Sequence, residues 1–546
     1  MIAAGANCLA RAESEPVLDT ISGCSRRRFL ACATVGAAGL LAAGNARASR
    51  TLVEPERVTL AGDGGVLVHA PCGDVRGRLA NGVARYLGIP YGHVPGRFLP
   101  PVPPPRWSKA FEADRFGPMA VQRVGHTQDV ASEQCLSLDI FVPPDAVGAP
   151  VMVWIHGGSN VSGAASEPIY DGARFARSGV ICVTLDYRMG VLGFLELGDQ
   201  LGSRYAGSGN NAIRDQMLAL RWIRRNIAAF GGDPGRVTLA GESAGAKDVA
   251  ALVAAPAARG LFSRVILESG GGRTVLSMTA AREITLEYLR LLSLPPLKTA
   301  ALLHLDLDRL IEAQHELMLD PPHNFPLRPI VDGVLLPAMP EDAIRGGCMK
   351  SWPLLLGTNR DESRLFLGPG AATQPLQARN LGNLQPDSFE RILQHYDASI
   401  TVPDPAELRW RALTAEEYWI PSVRVAEAQC HAGGTVWMYR FDRAAQDGVF
   451  AGRAAHASEL AYVWDNPGDT NLEPLDAGFD AGLAERMHAA WVAFIAGGAP
   501  AAPGLPEWPR YEVPQRATMI LDVDSRVQDD PNALERRLWA GVLGAT

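Results

Sequence analysis

The chain has 546 residues, a formal net charge of −8, 47% hydrophobic and 20% charged residues. A net negative charge leaves no electrostatic footprint for nucleic acid, and the hydrophobic share is that of a globular protein able to bury its own core. Length alone suggests about three domains, but no composition break divides the chain, so a single large domain over residues 58–546 is expected.

The first 48 residues read as an export signal, to be set aside from the fold. Ser25-Arg26-Arg27-Arg28-Phe29-Leu30 has the form of a twin-arginine motif, Phe29 to Gly44 is weakly apolar, and Ala46-Arg47-Ala48 supplies a cleavage site. The apolar run is too short to serve as a comfortable membrane span, and no Cys follows it to carry a lipid, so no stable membrane anchor is expected. Such a signal implies a bacterial source and a periplasmic or secreted protein. Cys72, Cys135, Cys182, Cys348 and Cys430 remain after it. That odd set has no C-x-x-C and no zinc spacing, so neither metal nor cofactor is implied.

Beyond the signal, Gly65 to Ala70, Val83 to Gly88 and Leu138 to Val142 read as short strands. Pro95 to Trp107 reads as a rigid surface loop. Val151-Met-Val-Trp-Ile155 and Val180-Ile-Cys-Val-Thr-Leu185 are continuous apolar runs of the fully buried kind. Strands alternating with helical stretches predict an α/β fold with a mostly parallel sheet. After the Val151 strand, His156-Gly157-Gly158-Ser159-Asn160 breaks the run with two glycines, which can turn backbone N–H groups outward towards a developing oxyanion. His156 reads as a structural hydrogen-bonding residue. Ile213, Met217, Leu220 and Ile223 or Ile227 then recur at helical spacing, and Gly231-Gly232 stops that helix.

The most informative stretch follows. Val237 to Ala240 is a buried-strand run, Gly241-Glu242-Ser243-Ala244-Gly245 fits G-x-S-x-G, and Val249, Leu252 and Val253 return at helical spacing. Strand, tight turn and helix together make a nucleophile elbow. The turn forces Ser243 into strained backbone, while the two glycines let strand and helix approach closely. The N–H of Ala244 lies at a helix N-terminus, where negative charge is favoured. Ala244 is thus assigned, with Gly157 and Gly158, to an oxyanion hole. A serine nucleophile needs a base and a group to orient it. His304, His315, His323, His395, His431, His456 and His488 are all eligible, and spacing alone does not choose among them.

The run from Asn210 through Gly245 resembles the type-B carboxylesterase family, which includes cholinesterases and para-nitrobenzyl esterases. Gly88-Ile-Pro-Tyr91, Ser132-Glu-Gln-Cys135-Leu, Asp186-Tyr-Arg-Met-Gly190, Gly193-Phe194, Trp491-Val-Ala-Phe494 and Trp508-Pro509 match it as well, so the resemblance covers roughly residues 70 to 525. It implies an α/β-hydrolase fold, with a mostly parallel central sheet flanked by helices and helical insertions over the active site. Those insertions fall at Ala280 to Leu292, Leu307 to Leu317 and roughly Pro386 to Gln429. Gly452-Arg-Ala-Ala-His456-Ala-Ser-Glu459-Leu460 is similar to the family's histidine loop, which makes His456 the base. Leu354-Leu-Leu-Gly357-Thr-Asn-Arg-Asp361-Glu362-Ser363 is similar to its acid loop, which makes Glu362 the orienting acid, with Asp361 as the alternative. The implied activity is hydrolysis of a small-molecule carboxylic ester through an acyl-enzyme. Amide or carbamate hydrolysis by the same triad, or a catalytically inactive binding protein of this fold, are the alternatives.

The departures from the family pattern carry expectations of their own. Ser159-Asn160 stands where a glycine and an aromatic are usual, which makes the acyl side more polar. Ala120 stands near the usual partner of Cys135, which disfavours that disulfide. No Phe, Tyr or Trp lies between Gly117 and Ile140, which disfavours a choline ester, a substrate held by cation–π attraction. Lys247-Asp248 replaces a small residue and a serine. Either Asp248 lies beside Glu362 as an adjacent carboxylate with a raised pKa, or it pairs with Lys247 or Arg264 away from the site.

Overall fold

The computed structural model describes residues 65–542 except 124–130, 367–375, 378–379, 401–403 and 468–477. The signal segment lies outside the described residues. The expected strands form at β1 (Gly65–Ala70), β3 (Val83–Pro90), β4 (Ser137–Val142), β5 (Ala149–Ile155), β6 (Ile181–Leu185) and β7 (Gly232–Glu242). They are joined by β2 (Gly73–Ala80), β8 (Arg264–Glu268), β9 (Leu354–Asn359), β10 (Val436–Phe441), β11 (Ala517–Leu521) and β12 (Arg526–Asp529). Among the described residues these belong to one thirteen-stranded sheet in the order β1-β2-β3-β4-β6-β5-β7-β8-β9-β10-β11-β12, with the short strand Phe111–Glu112 beside β2.

From β6 to β11 every neighbouring pair runs parallel, whereas β1 to β4, β4–β6 and β11–β12 pair antiparallel. A parallel sheet must be covered on both faces, and its strands show it. In β5, Val151, Val153 and Ile155 enter one core cluster while Met152 and Trp154 enter the other. β8 and β9 split the same way, Val265 and Leu267 against Ile266, and Leu354 and Leu356 against Leu355. Each fully buried aliphatic side chain contributes about 1.5–3 kcal/mol.

The first face is closed by α1 (Asn211–Asn226) and α2 (Ala244–Ala254). Ile213, Met217, Leu220 and Ile223 of α1 and Val249, Leu252 and Val253 of α2 supply its core side chains. The second face is closed by α7 (Ala481–Ile495), through Leu483, Met487, Trp491 and Phe494. Between α2 and α7 come α3 (Met278–Leu291), α4 (Leu307–Leu319), α5 (Pro405–Thr414) and α6 (Ile420–His431), with a single π-helical turn, Ala415–Trp419, linking the last two. The stretch from Pro386 to Gln429 is therefore broken into several helices, one of them Pro386–Ser399.

The Pro95–Trp107 loop is surface-exposed but pinned from inside. Arg188 makes a bidentate pair with Asp215 on α1, at 2.8 and 2.7 Å, and its remaining arm donates to the Leu99 carbonyl at 2.7 Å. The five cysteines are free thiols, Cys135 among them.

Candidate active site

β7 ends at Glu242 and α2 begins at Ala244, so Ser243 alone makes the turn, at φ 55° and ψ −121°. An L-residue pays about 1–3 kcal/mol for such a backbone, and it persists only where the surroundings hold it. They do so here. The Ser243 N–H donates to Glu268 O at the end of β8, and Lys247 N–H on α2 donates back to Ser243 O. A Cβ at Gly241 would lie 2.7 Å from the Gly245 carbonyl carbon, and one at Gly245 would lie 2.0 Å from Ile155 O. Only glycine lets helix, strand and the neighbouring β5 meet this closely.

The glycine loop after β5 lies against the same turn. A Cβ on Gly157 would fall 3.1 Å from the Ser243 Cβ, and Gly158, Ser159 and Asn160 follow with φ of 106°, 55° and 61°. Among the described residues no protein acceptor takes the N–H of Gly157, Gly158 or Ala244. His156 is turned away: its Nδ1 lies 2.9 Å from Gly157 O, its ring stacks on Tyr187, and burial pushes its pKa down to about 4.

The acid and histidine loops meet at the ends of β9 and β10. Glu362 Oε2 lies 2.5 Å from His456 Nδ1, and the other oxygen accepts from Ser269 Oγ at 2.6 Å and Asn359 N at 2.7 Å. Asp361 points elsewhere, to Arg360 Nε and the Ala454 N–H, both at 2.9 Å. It thereby ties the two loops together without touching the imidazole. His456 Nε2 lies 3.1 Å from Glu242 Oε1, and no described hydrogen bond joins it to the Ser243 hydroxyl. The Glu242 carboxylate in turn borders Gly157, where an added Cβ would approach its Oε2 to 2.6 Å. Phe366 and Tyr418 flank the imidazole, with ring centroids 5.0 and 4.9 Å away.

Burial dominates the titration of this site. It raises Glu362 to about 8 and Glu459 to about 7, lifts Glu242 and Glu268 well above the usual carboxylate range, and lowers His456 to about 4. Each shift favours the neutral form, as expected where water is excluded, and the carboxylates push one another further the same way. The sequence motifs assign no role to Ser269 or Glu459. Ser269 Oγ bridges Glu362 to Glu459 Oε1, the latter at 3.2 Å, and Glu459 also pairs with the Asn359 amide. The Glu459 of the histidine-loop motif was a visible signal, whereas nothing in its own segment marked Ser269.

Asp248 does not lie beside Glu362. Its Oδ2 accepts from Gln216 Nε2 at 2.6 Å, and the amides of Gln216 and Asn160 are its hydrogen-bonding neighbours. The alternative pairings are overturned too, because Lys247 binds Glu417 and Arg264 binds the carbonyls of Gly497 and Gly498. One turn of α2 aims positions 247 and 248 in different directions, and Asp248 points back towards α1. Its pKa is raised to about 7, by burial and not by a neighbouring acid.

The sequence model of the carboxylesterase family matches residues 65–539. This chain belongs to the carboxylesterase family. It is 36% identical to the para-nitrobenzyl esterase of Bacillus subtilis over 495 residues, covering 86% of this chain and 98% of that protein. It is 32% identical to the fumonisin B1 esterase of Sphingopyxis macrogoltabida, covering 81% and 84%. A solved structure of a PNB esterase aligns with a TM-score of 0.77 at 35% identity over 86% of this chain and 99% of that one. A Geobacillus stearothermophilus carboxylesterase aligns with a TM-score of 0.77 at 36% identity over 87% and 99%. The α/β-hydrolase fold and carboxylic ester hydrolysis follow from these matches. In this esterase no helix among the described residues is long and apolar enough to cross a membrane.

The Asp248 environment yields a stability test. With its folded pKa raised to about 7 from an ordinary 3.8, Asp248 contributes stability below the ordinary value that is lost as pH rises through the folded one. Asp248→Asn removes the titration, so its melting temperature relative to the parent should rise between about pH 5 and about pH 8. A constant offset across that range in thermal unfolding scans would contradict the assignment.

Proposed function

We propose that Ser243 is the nucleophile of this ester hydrolase, His456 its general base, Glu362 the acid that orients His456, and the N–H groups of Gly157, Gly158 and Ala244 its oxyanion hole. The observation that carries this reading is the strained Ser243 at the elbow, with free backbone donors of the glycine loop against it and the imidazole of the Glu362–His456 pair beside Glu242, its neighbour in the chain. His456 takes the Ser243 proton as Oγ attacks the ester carbonyl, and the backbone donors hold the oxygen as it gains charge. The alcohol leaves with that proton. Water, deprotonated by His456, then releases the carboxylic acid. Glu362 accepts from Nδ1 and keeps Nε2 as the basic nitrogen. For the first transfer Nε2 must turn from Glu242 to the hydroxyl, and catalytic hydrogen bonds are often misaligned until substrate binds.

Residues 58–546 are taken as one catalytic unit acting on a small-molecule ester without a metal or cofactor, after export by the twin-arginine route. The absence of an aromatic between Gly117 and Ile140 disfavours choline esters. Nothing in the structure favours the amide-hydrolase or inactive-binder alternatives over this reading.

Ser243→Ala should fold with unchanged thermal stability and lose essentially all turnover of aryl esters. Retained hydrolysis, or a parent enzyme indifferent to a serine-directed phosphonate, would falsify the nucleophile assignment. Gly157→Ala places a methyl 2.6 Å from Glu242 Oε2 and 3.0 Å from Glu242 O, so the loop must shift its donors. Its kcat should fall roughly a hundredfold with little change in KM, and an unaltered kcat would rule Gly157 out of the hole. Replacing Arg26 and Arg27 by Lys should strand the protein in the cytoplasm on cell fractionation, and undiminished export would exclude the twin-arginine route.

A further inference from the structure

Carboxylates from several elements surround His456. Glu362 faces it from the acid loop and Glu242 from the end of β7. Glu459, on its own loop, acts electrostatically on it, and Glu268 at the end of β8, which accepts from Trp491 Nε1 at 2.7 Å, interacts in turn with Glu459. The π-helical turn contributes Glu417 and the Tyr418 ring, whose phenol burial keeps neutral. Burial holds the His456 imidazole neutral, but each carboxylate that ionises beside it pulls the other way, towards an imidazolium that cannot accept the serine proton.

A cation on α2 faces this cluster. Lys247 sits on α2 one turn after Ser243, and its backbone N–H bonds to the Ser243 carbonyl. Its ammonium is 2.7 Å from Glu417 Oε1, both side chains are only 9% exposed, and it lies over the rings of Phe325 and Tyr418 at 5.2 and 5.1 Å. Tyr418 is also the ring that packs on His456, so the ammonium and the imidazole share one aromatic neighbour. Arg328, a buried cation that interacts with Glu417 and Glu416, donates to the carbonyls of Gly382 and Asn324. Glu416 is in turn capped by the N–H groups of Gly382, Asn383 and Leu384. The field of Lys247 opposes protonation of His456 and favours the ionised forms of Glu242 and Glu362.

We propose that Lys247 is an electrostatic positioning residue, the positive charge that reinforces burial in opposing protonation of His456 by offsetting those of the surrounding buried carboxylates that ionise. The proposal rests on the catalytic reading of His456 given above. It gives the Lys247–Glu417 pair a role that packing alone would not, because the two members act on the imidazole with opposite sign.

The test is the acidic limb of the kcat/KM profile for an aryl ester, which reports protonation of the free enzyme's base. Glu417→Gln leaves the Lys247 charge unopposed and should move the limb to lower pH. Lys247→Met combined with Glu417→Gln differs from it only by that charge, and its limb should lie roughly one unit higher than that of Glu417→Gln. Lys247→Arg should keep the parental limb. Coincident limbs in the single and double variants overturn the proposal, as does a shift of the opposite sign; a merely structural role would change kcat and leave the limbs together. If Glu417→Gln does not fold, Lys247→Met against Lys247→Arg makes the comparison with Glu417 in place, and equal limbs again overturn it. Coincident limbs alongside an inactive Ser243→Ala sink the Lys247 role alone, whereas an active Ser243→Ala sinks the catalytic reading beneath it.

Discussion

The backbone of Ser243 is held in a conformation that its own side chain disfavours, and the rest of the site is arranged around that strain. A φ of 55° is sustained because β7 and β8 grip the turn through the Glu268 carbonyl, while α2 pulls on it from the other side. The grip is possible only where Gly241 and Gly245 allow backbone to touch backbone. Two neighbours of one turn, Glu242 before it and Ala244 after it, thereby face opposite requirements. One carboxyl borders the imidazole, and one N–H is left free to meet an oxyanion.

Burial sets the second condition. Glu242, Glu268, Glu362, Glu417 and Glu459 converge in a region almost without water, and taking so many carboxylates from solvent as anions would be very costly. The structure meets that cost by hydrogen bonds shared between acids, Ser269 joining Glu362 to Glu459, and by shifts that favour protonated forms. Lys247, which enters the cluster, comes from the same helix that strains the serine. Geometry and electrostatics at this site therefore share α2 as a common origin.

The π-helical turn between α5 and α6 has a matching place. A π turn inserts one extra residue per turn and is frequent at functional sites. Here it carries Glu416, Glu417 and Tyr418 inward together, one to cap a loop, one to hold Lys247 and one to pack on His456.

Local, contiguous features were legible in the chain itself. The elbow, the glycine pair after β5 and the apolar runs of the parallel strands each depend on neighbours in sequence, because turn sterics and the alternation of side chains along a strand are short-range properties. The resemblance added Glu362 and His456, which spacing could not choose. What tertiary structure alone decided was pairing across distance. Ser269 reaches Glu362 across 93 residues and Glu459 across 190. Asp248 turned to Gln216 on α1 and not to the triad acid, and Lys247 found Glu417 across 170 residues. Which side chain meets which in a buried charge cluster depends on the direction in which each helix and loop end is packed against the sheet. That direction is set by the whole core, and no single segment encodes it.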